Sequence, residues 1–543
     1  MDQTRLRAVA IGNAAVLLTA VLSVGQIRFD QQQDALAQEP TSVDDGTVTG
    51  DPTATPTATA SAAPSPTSTT SVVPGGGVPT KAPGVPTVNP TDPTDPGVTV
   101  PNVPVVKVPD FGLKTQGVTA KTVKIGLDYD KTGCGGSAAL ANQFSKSVTG
   151  DPEKSVKAFT QYVNDTGGIR GRKLTTVTVD DGGLYCPERH ESAAIQLVDQ
   201  EKVFMDVAGL HEVSAKLAKR HIPYMGGFSS KAEQKRDGYG QFQVLQDADS
   251  DFANWASFGK NYINSAKDAP CLIHPDTADF NGLEKILNNE LLKAGLPKYK
   301  NGKPFKDVVA YQDDVSSAQY QAQTGATRMK NNGCKQVWLI ANNALADVFF
   351  TNAAASVAWY PTWTWTTRTT LIDQQLGGSL MNQDEWKNSI GLTTRIKPGA
   401  SPYEGKCGDI YRKYYPGDGQ SGSAATLVAC VGILTSSEAM RRAVDLTGVL
   451  TANSLQLGVN AIRGDFWYDS HVPITFAIPT PPLADKAFDF TGFDLQTVAK
   501  WNRSKGDYDF PSYPTYWKVM GPGRSGGVSI TAALKKTYTA PKR

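Results

Sequence analysis

Paired acids close two strand-like runs of this chain, Asp180-Asp181 after "KLTTVTV" and Asp313-Asp314 after "DVVAYQ". Two carboxyls can act as general acid and base only when they converge on one substrate, and these pairs lie in different halves of the chain. Gly523-Arg524-Ser525-Gly526-Gly527 matches G-x-S-x-G, but a nucleophile elbow needs a strand before it and a helix after it. Pro522 and the surrounding glycines predict a flexible loop instead. The run "DADSD" at 247–251 alternates acids as a calcium loop does, yet Phe252 stands where glycine is needed and Phe258 where glutamate is needed. There is no C-x-x-C, and the histidines at 190, 211, 221, 274 and 471 show no ligand spacing. No catalysis, metal or cofactor is expected.

The chain has 543 residues, more than one hydrophobic core sustains. Lys plus Arg is 54 and Asp plus Glu is 52, a net charge of +2 without a basic stripe, so no nucleic-acid partner is expected. Arg5 and Arg7 precede an apolar run from Ala8 to Ile27, about the 20 residues that a bilayer-spanning helix requires. Residues 1–37 therefore read as a signal peptide, with Ala35-Leu36-Ala37 as its cleavage site, or as an uncleaved membrane anchor. Either way the rest is extracytoplasmic, secreted or held at the cell surface. Because the first cysteine is Cys134, a lipoprotein is excluded. Residues 38–117 are Pro, Thr, Ser and Gly with few aromatics, a disordered stalk by composition. All six cysteines, 134, 186, 271, 334, 407 and 430, lie beyond it, where export favours disulfides; 15 pairings are possible.

From residue 118 to 522 strands and helices alternate. The runs at 123–129, 173–179, 203–209 and 222–227 predict strands, with helices at 151–166, 188–200 and 212–220 between them. After a helix over 249–263 the pattern restarts, with strands at 269–274, 307–312, 335–341 and 361–367 and helices at 279–294, 316–332 and 343–357. Helices over 423–446 and 451–462 and the strand-like "ITFAIP" and "LQTVAKWN" follow, and 523–543 read as a flexible tail. This β-α-β order predicts an α/β protein of two doubly wound, Rossmann-like lobes, with ligands beyond the carboxyl ends of the strands.

The stretch "KAFTQYVNDTGGIRGRKLTTVTVDDGG", between the first strand and a helix, closely resembles the first β-α-β unit of type I periplasmic binding proteins. These are the solute receptors of ABC importers, and the branch resembled is the leucine/isoleucine/valine-binding one. "CLIHPDTADFNGLEKIL" looks like the start of that family's second lobe and "FDFTGFDLQTVAKWNRSKGDY" like its closing hairpin. The resemblance implies a three-strand hinge between lobe 1 (about 121–246 and 395–470) and lobe 2 (about 247–394 and 485–520). It also implies a small-molecule ligand, permease partners and a monomer. On this map Cys134 and Cys186 become neighbours, as do Cys271 and Cys334, leaving Cys407 with Cys430.

Carried over residue by residue, the resemblance places a ligand anion against Gly209, Leu210, His211, Ser229 and Ser230 of lobe 1. From lobe 2 it brings Phe280 over the ligand, with Asn342, Asn343, Thr367 and Arg368 as further contacts. The chain departs from the family in one respect. Amino-acid receptors hold the ligand ammonium with a carboxylate after the next strand, and here "TWTWTTRTTL" has no acid. An ammonium closed in without a counter-ion is costly. Either Asp128 or Asp130 substitutes, or the ligand lacks an ammonium and Arg368 meets a second anionic group. The rival reading in another class is a sensor ectodomain that signals through a separate partner.

Overall fold

The computed structural model describes residues 106–529, except 130, 132–149, 183–185, 208–210, 227–228, 245, 313–314, 342–343, 370–377, 379, 395–405, 467–473, 476–494, 512–514 and 522–523. The expected anchor and most of the expected stalk lie outside the described residues. The first described residues depart from the stalk expectation. Phe111 and Leu113 donate their backbone N–H groups to Asn453 Oδ1 at 3.1 and 3.2 Å, and the Phe111 and Tyr239 rings lie 4.8 Å apart. Two large apolar side chains are enough to fasten this end of a polar stretch to the folded domain.

The first sheet is parallel throughout. It comprises β1 (Thr122–Tyr129), β2 (Lys173–Asp180), β3 (Met205–Val207), β4 (Tyr224–Met225) and β5 (Gln241–Phe242), in the order β2-β1-β3-β4-β5. Between them run α1 (Pro152–Asp165), α2 (Pro187–Ile195), α3 (His211–Ala218) and α4 (Lys231–Asp237). In α1, Asp151 caps the start by accepting from Lys154 N at 3.1 Å, Pro152 fills the first turn, and Val156, Phe159 and Val163 recur on the buried face. The helix ends at the glycine turn. Gly168 has φ +63°, and a Cβ there would lie 2.2 Å from the Arg172 carbonyl oxygen, so only glycine returns the chain to β2.

The second sheet opens after α5 (Ala248–Asn261). It contains β6 (Pro270–Pro275), β7 (Val308–Tyr311), β8 (Gln336–Leu339), β9 (Thr362–Thr366) and β10 (Ser389–Thr393), separated by α6 (Ala278–Lys293), α7 (Val315–Asn331), α8 (Ala344–Ser356) and α9 (Gln383–Trp386). The chain then makes α10 (Lys406–Tyr414), α11 (Ala424–Thr447), α12 (Ala452–Asn460) and a small pair, β11 (Arg463–Phe466) with β12 (Ile474–Thr475). It ends with β13 (Leu495–Asn502), β14 (Asp507–Asp509), β15 (Thr515–Gly521) and β16 (Arg524–Ser529), which extend the second sheet on its antiparallel side. The loop expected at Gly523–Gly527 is thus corrected: Arg524–Gly527 pair with β15, so Ser525 stands in a strand and on no elbow.

Alternation along each strand explains the layers. Ile125, Met205 and Met225 pack with residues of α1, α10, α11 and α12 on one face of the first sheet, while Val179 and Tyr224 meet Leu197 and Leu217 on the other. In the second sheet Cys271, Ile273, Val337, Trp363 and Trp365 face one core, and Leu272, Trp338, Leu392 and Val498 face another with Phe252 and Trp255 of α5. Since α10 to α12 pack against the first sheet and β13 joins the second, the chain crosses between lobes three times. The crossings lie between β5 and α5, between β10 and α10, and between α12 and β13. Disulfides join Cys271 to Cys334 and Cys407 to Cys430. Cys186 is disulfide-bonded too, and Cys134, its expected partner, lies outside the described residues.

Candidate ligand site and hinge

Ser229 and Ser230 follow β4 and are both buried. Ser230 caps α4 in a reciprocal box: Glu233 N donates to its Oγ at 3.2 Å, while its own N and Oγ donate to Glu233 Oε2 at 2.7 and 2.8 Å. Ser229 N and Oγ donate to Gln243 Oε1 at 2.9 and 3.3 Å, and its carbonyl accepts from Ala248 N at 3.1 Å. Ser229 therefore ties the end of β4 to the segment leaving the lobe, while Ser230 fixes the start of α4. His211 opens α3, whereas Gly209, Leu210, Asn342 and Asn343 lie outside the described residues, as do Asp130 and Asp313-Asp314.

In lobe 2, Phe280 lies in the first turn of α6, capped by Thr277, and packs in the core with Trp255, Leu272 and Trp338. Thr367 Oγ1 accepts from Thr394 N at 3.1 Å. The Arg368 guanidinium is buried; Nη2 donates to the Gln246 carbonyl at 2.9 Å and Nε lies 3.5 Å from Asp251 Oδ2. Burial lowers the Arg368 pKa and raises that of Asp251, each opposed by the other's charge. Of the acids in "DADSD", Asp247 caps α5 by accepting from Ser250 N at 2.8 Å and Asp249 accepts from Lys231 N at 2.9 Å; no metal-binding cluster occurs among the described residues.

The strands of lobe 1 bury a second set of acids. Asp180 stays at the surface, 3.3 Å from Arg189 Nη1, but Asp181, Asp128 and Asp206 are buried. Asp206 lies beside Gly126, where a Cβ would meet its Oδ1 at 2.7 Å. Burial, with the nearby Asp181 charge adding to it, pushes Asp206 up to about 7. Sequence reasoning passed over Asp206, Gln243, Gln246 and Gln496. Their signal is a polar residue inside an apolar strand, as in "VFMDVAG".

The sequence pattern of the periplasmic binding protein family matches residues 122–471. The chain belongs to this family. No curated protein matches it in sequence. Among solved structures, this binding protein is similar to a fatty acid ABC transporter substrate-binding protein from Thermomonospora curvata, at 14% identity and a TM-score of 0.53, covering 79% of this chain and 97% of that one. It is similar to a leucine-binding protein from Thermotoga maritima, at 13% identity and a TM-score of 0.52, covering 72% and 97%. A third is a branched-chain amino acid transporter substrate-binding protein from Streptococcus pneumoniae in complex with isoleucine, at 13%, 0.50, 75% and 99%. At such identities the likeness is one of fold, the type I fold expected from the glycine turn and closing hairpin. Members of the family are extracytoplasmic, bind small molecules and work with ABC permeases.

Proposed function

We propose that this binding protein captures a small amino-acid-like or carboxylate solute outside the cytoplasm, closes its two lobes over it and delivers it unchanged to an ABC permease. The observation that carries the reading is the family match spanning two α/β lobes that the chain crosses three times. Solved relatives of the same fold are named for leucine, isoleucine and fatty acid, which share a carboxylate and an apolar tail. In this reading the backbone at Gly209, Leu210 and His211 and the turn at Ser229 and Ser230 hold the carboxylate. Phe280, Asn342, Asn343 and Thr367 close from lobe 2. Ligand contacts to both lobes shift the population towards the closed form.

The test is thermal unfolding of the purified full chain with amino acids, amine-free carboxylates, fatty acids, amides and sugars, with chemical analysis of the ligand afterwards. Saturable stabilisation by a carboxylate class, the ligand recovered intact, is expected. At a hundredfold excess over Kd it amounts to about 2.7 kcal/mol. No shift with any carboxylate, or conversion of the ligand, overturns the reading. Amine-free acids acting as well as amino acids would show that no ammonium is held. Uptake lost when the protein is removed, and restored with it, separates delivery from sensing.

A further inference from the structure

The bonds around Arg368 lead to all three places where the chain changes lobe. Its Nη2 reaches Gln246 O in the first crossing at 2.9 Å, and its Nε approaches Asp251 Oδ2 at 3.5 Å. Asp251 Oδ1 accepts from Gln496 Nε2 at 2.6 Å, at the start of β13, where the third crossing arrives. Asp251 Oδ2 also accepts from Thr366 Oγ1 at 2.7 Å. The neighbouring Thr367 Oγ1 holds Thr394 N at 3.1 Å, one residue beyond β10, where the second crossing departs. Asn254, one turn along α5 from Asp251, links the first and third crossings again, donating to Gln246 Oε1 at 3.3 Å and Gln496 Oε1 at 3.0 Å. Gln246, Asp251, Asn254, Thr366, Arg368 and Gln496 are all buried.

Such a network is a poor way to gain stability. Desolvating an arginine and an aspartate costs several kcal/mol each, and an apolar pair of similar volume is often as stable. What a buried charged fork supplies is fixed geometry: the planar guanidinium and the carboxylate hold their partners at set angles. A hinge of three strands moves as one only if backbone rotations in each occur together. We propose that Arg368 and Asp251 form a hub that couples the three crossings, so that the lobes pivot as a single two-state unit and Arg368 acts as a hinge residue apart from the ligand contacts. The inference rests on the two-lobed capture reading, but its test needs no ligand.

The experiment is amide hydrogen exchange on the ligand-free full chain for wild type, Arg368→Gln, Asp251→Asn and the double variant. Arg368→Lys and the milder Thr366→Val are compared beside them. Exchange is read at Gln246–Ala248, Thr393–Thr394 and Gln496–Thr497, with Ile125–Leu127 and Leu272–Ile273 as references in the two cores. Each single variant is expected to speed exchange in all three crossing segments by about tenfold or more, equivalent to about 1.4 kcal/mol of local opening. The references should hold their rates. The double variant should show less than the product of the singles, because neither charge is left without its partner. Arg368→Lys should rescue in part, and Thr366→Val should give a smaller rise of the same pattern. Exchange that rises only beside the substituted residue, or equally in both cores, overturns the hub. Should Arg368→Gln fail to fold, Thr366→Val alone decides by the same pattern. A wild type that binds no carboxylate would overturn the capture reading and leave the exchange pattern as measured.

Discussion

Asp206 is an acid between two apolar residues of a strand, and burial sets its protonation. Its folded-state pKa, about 7, exceeds the ordinary value of 3.8, so the neutral form favours folding. The stability tied to this proton is fully present below about pH 4 and is lost as pH rises through 7. Asp206→Asn should flatten that decline and raise the urea midpoint at pH 8 relative to wild type. A midpoint that falls equally at pH 5 and pH 8 would contradict the assignment. Ser230 permits a second separation. Ser230→Ala removes a cap worth about 1 kcal/mol, whereas Ser230→Asn restores it. If the hydroxyl also meets the ligand, both variants bind the carboxylate found by screening more weakly, though only the first is less stable. Equal affinity in both would leave Ser230 a cap. The serine's place after a strand is legible in sequence, and so is an N-cap reading of it, since in "SSKAE" Glu233 stands three residues on.

Among the elements, α1 was readable almost to the residue, from an expected 151–166 to an observed 152–165, because cap, proline and apolar period agree. Strands β3 and β4 are shorter than "VFMDVAG" and "IPYMGG" suggested. Among the described residues β1 pairs with β3 at Ile125–Met205 and Gly126–Asp206, and hydropathy does not report where pairing begins. β16 was missed because glycine and proline in its sequence signal a loop, and only its partner β15 makes a strand of it. The pairings Cys271–Cys334 and Cys407–Cys430 agree with those that the family resemblance implied. Closing 63 and 23 residues, they should contribute about 4 and about 3 kcal/mol through the unfolded chain. Serine pairs replacing each bridge should therefore lower the thermal midpoint, the Cys271–Cys334 pair more. The opposite order in calorimetry would show that native-state packing outweighs chain entropy.

At the level of the whole molecule, the two sheets and three crossings turn local contacts into a linkage between ligand and stability. A carboxylate that stabilises the chain should do so saturably, by an increment set by its concentration over Kd. The sequence by itself determined the two α/β lobes and the family, because periodicity and a glycine turn are local properties that survive without coordinates. Tertiary structure alone decided which groups Arg368 meets. A guanidinium after a strand reads as a ligand contact when its neighbours are unknown; its partners Gln246 and Asp251 lie up to 122 positions away and meet it only when α5 packs against the second sheet. The same holds for the raised pKa of Asp206. Burial and proximity create it, and neither is a property of the linear chain.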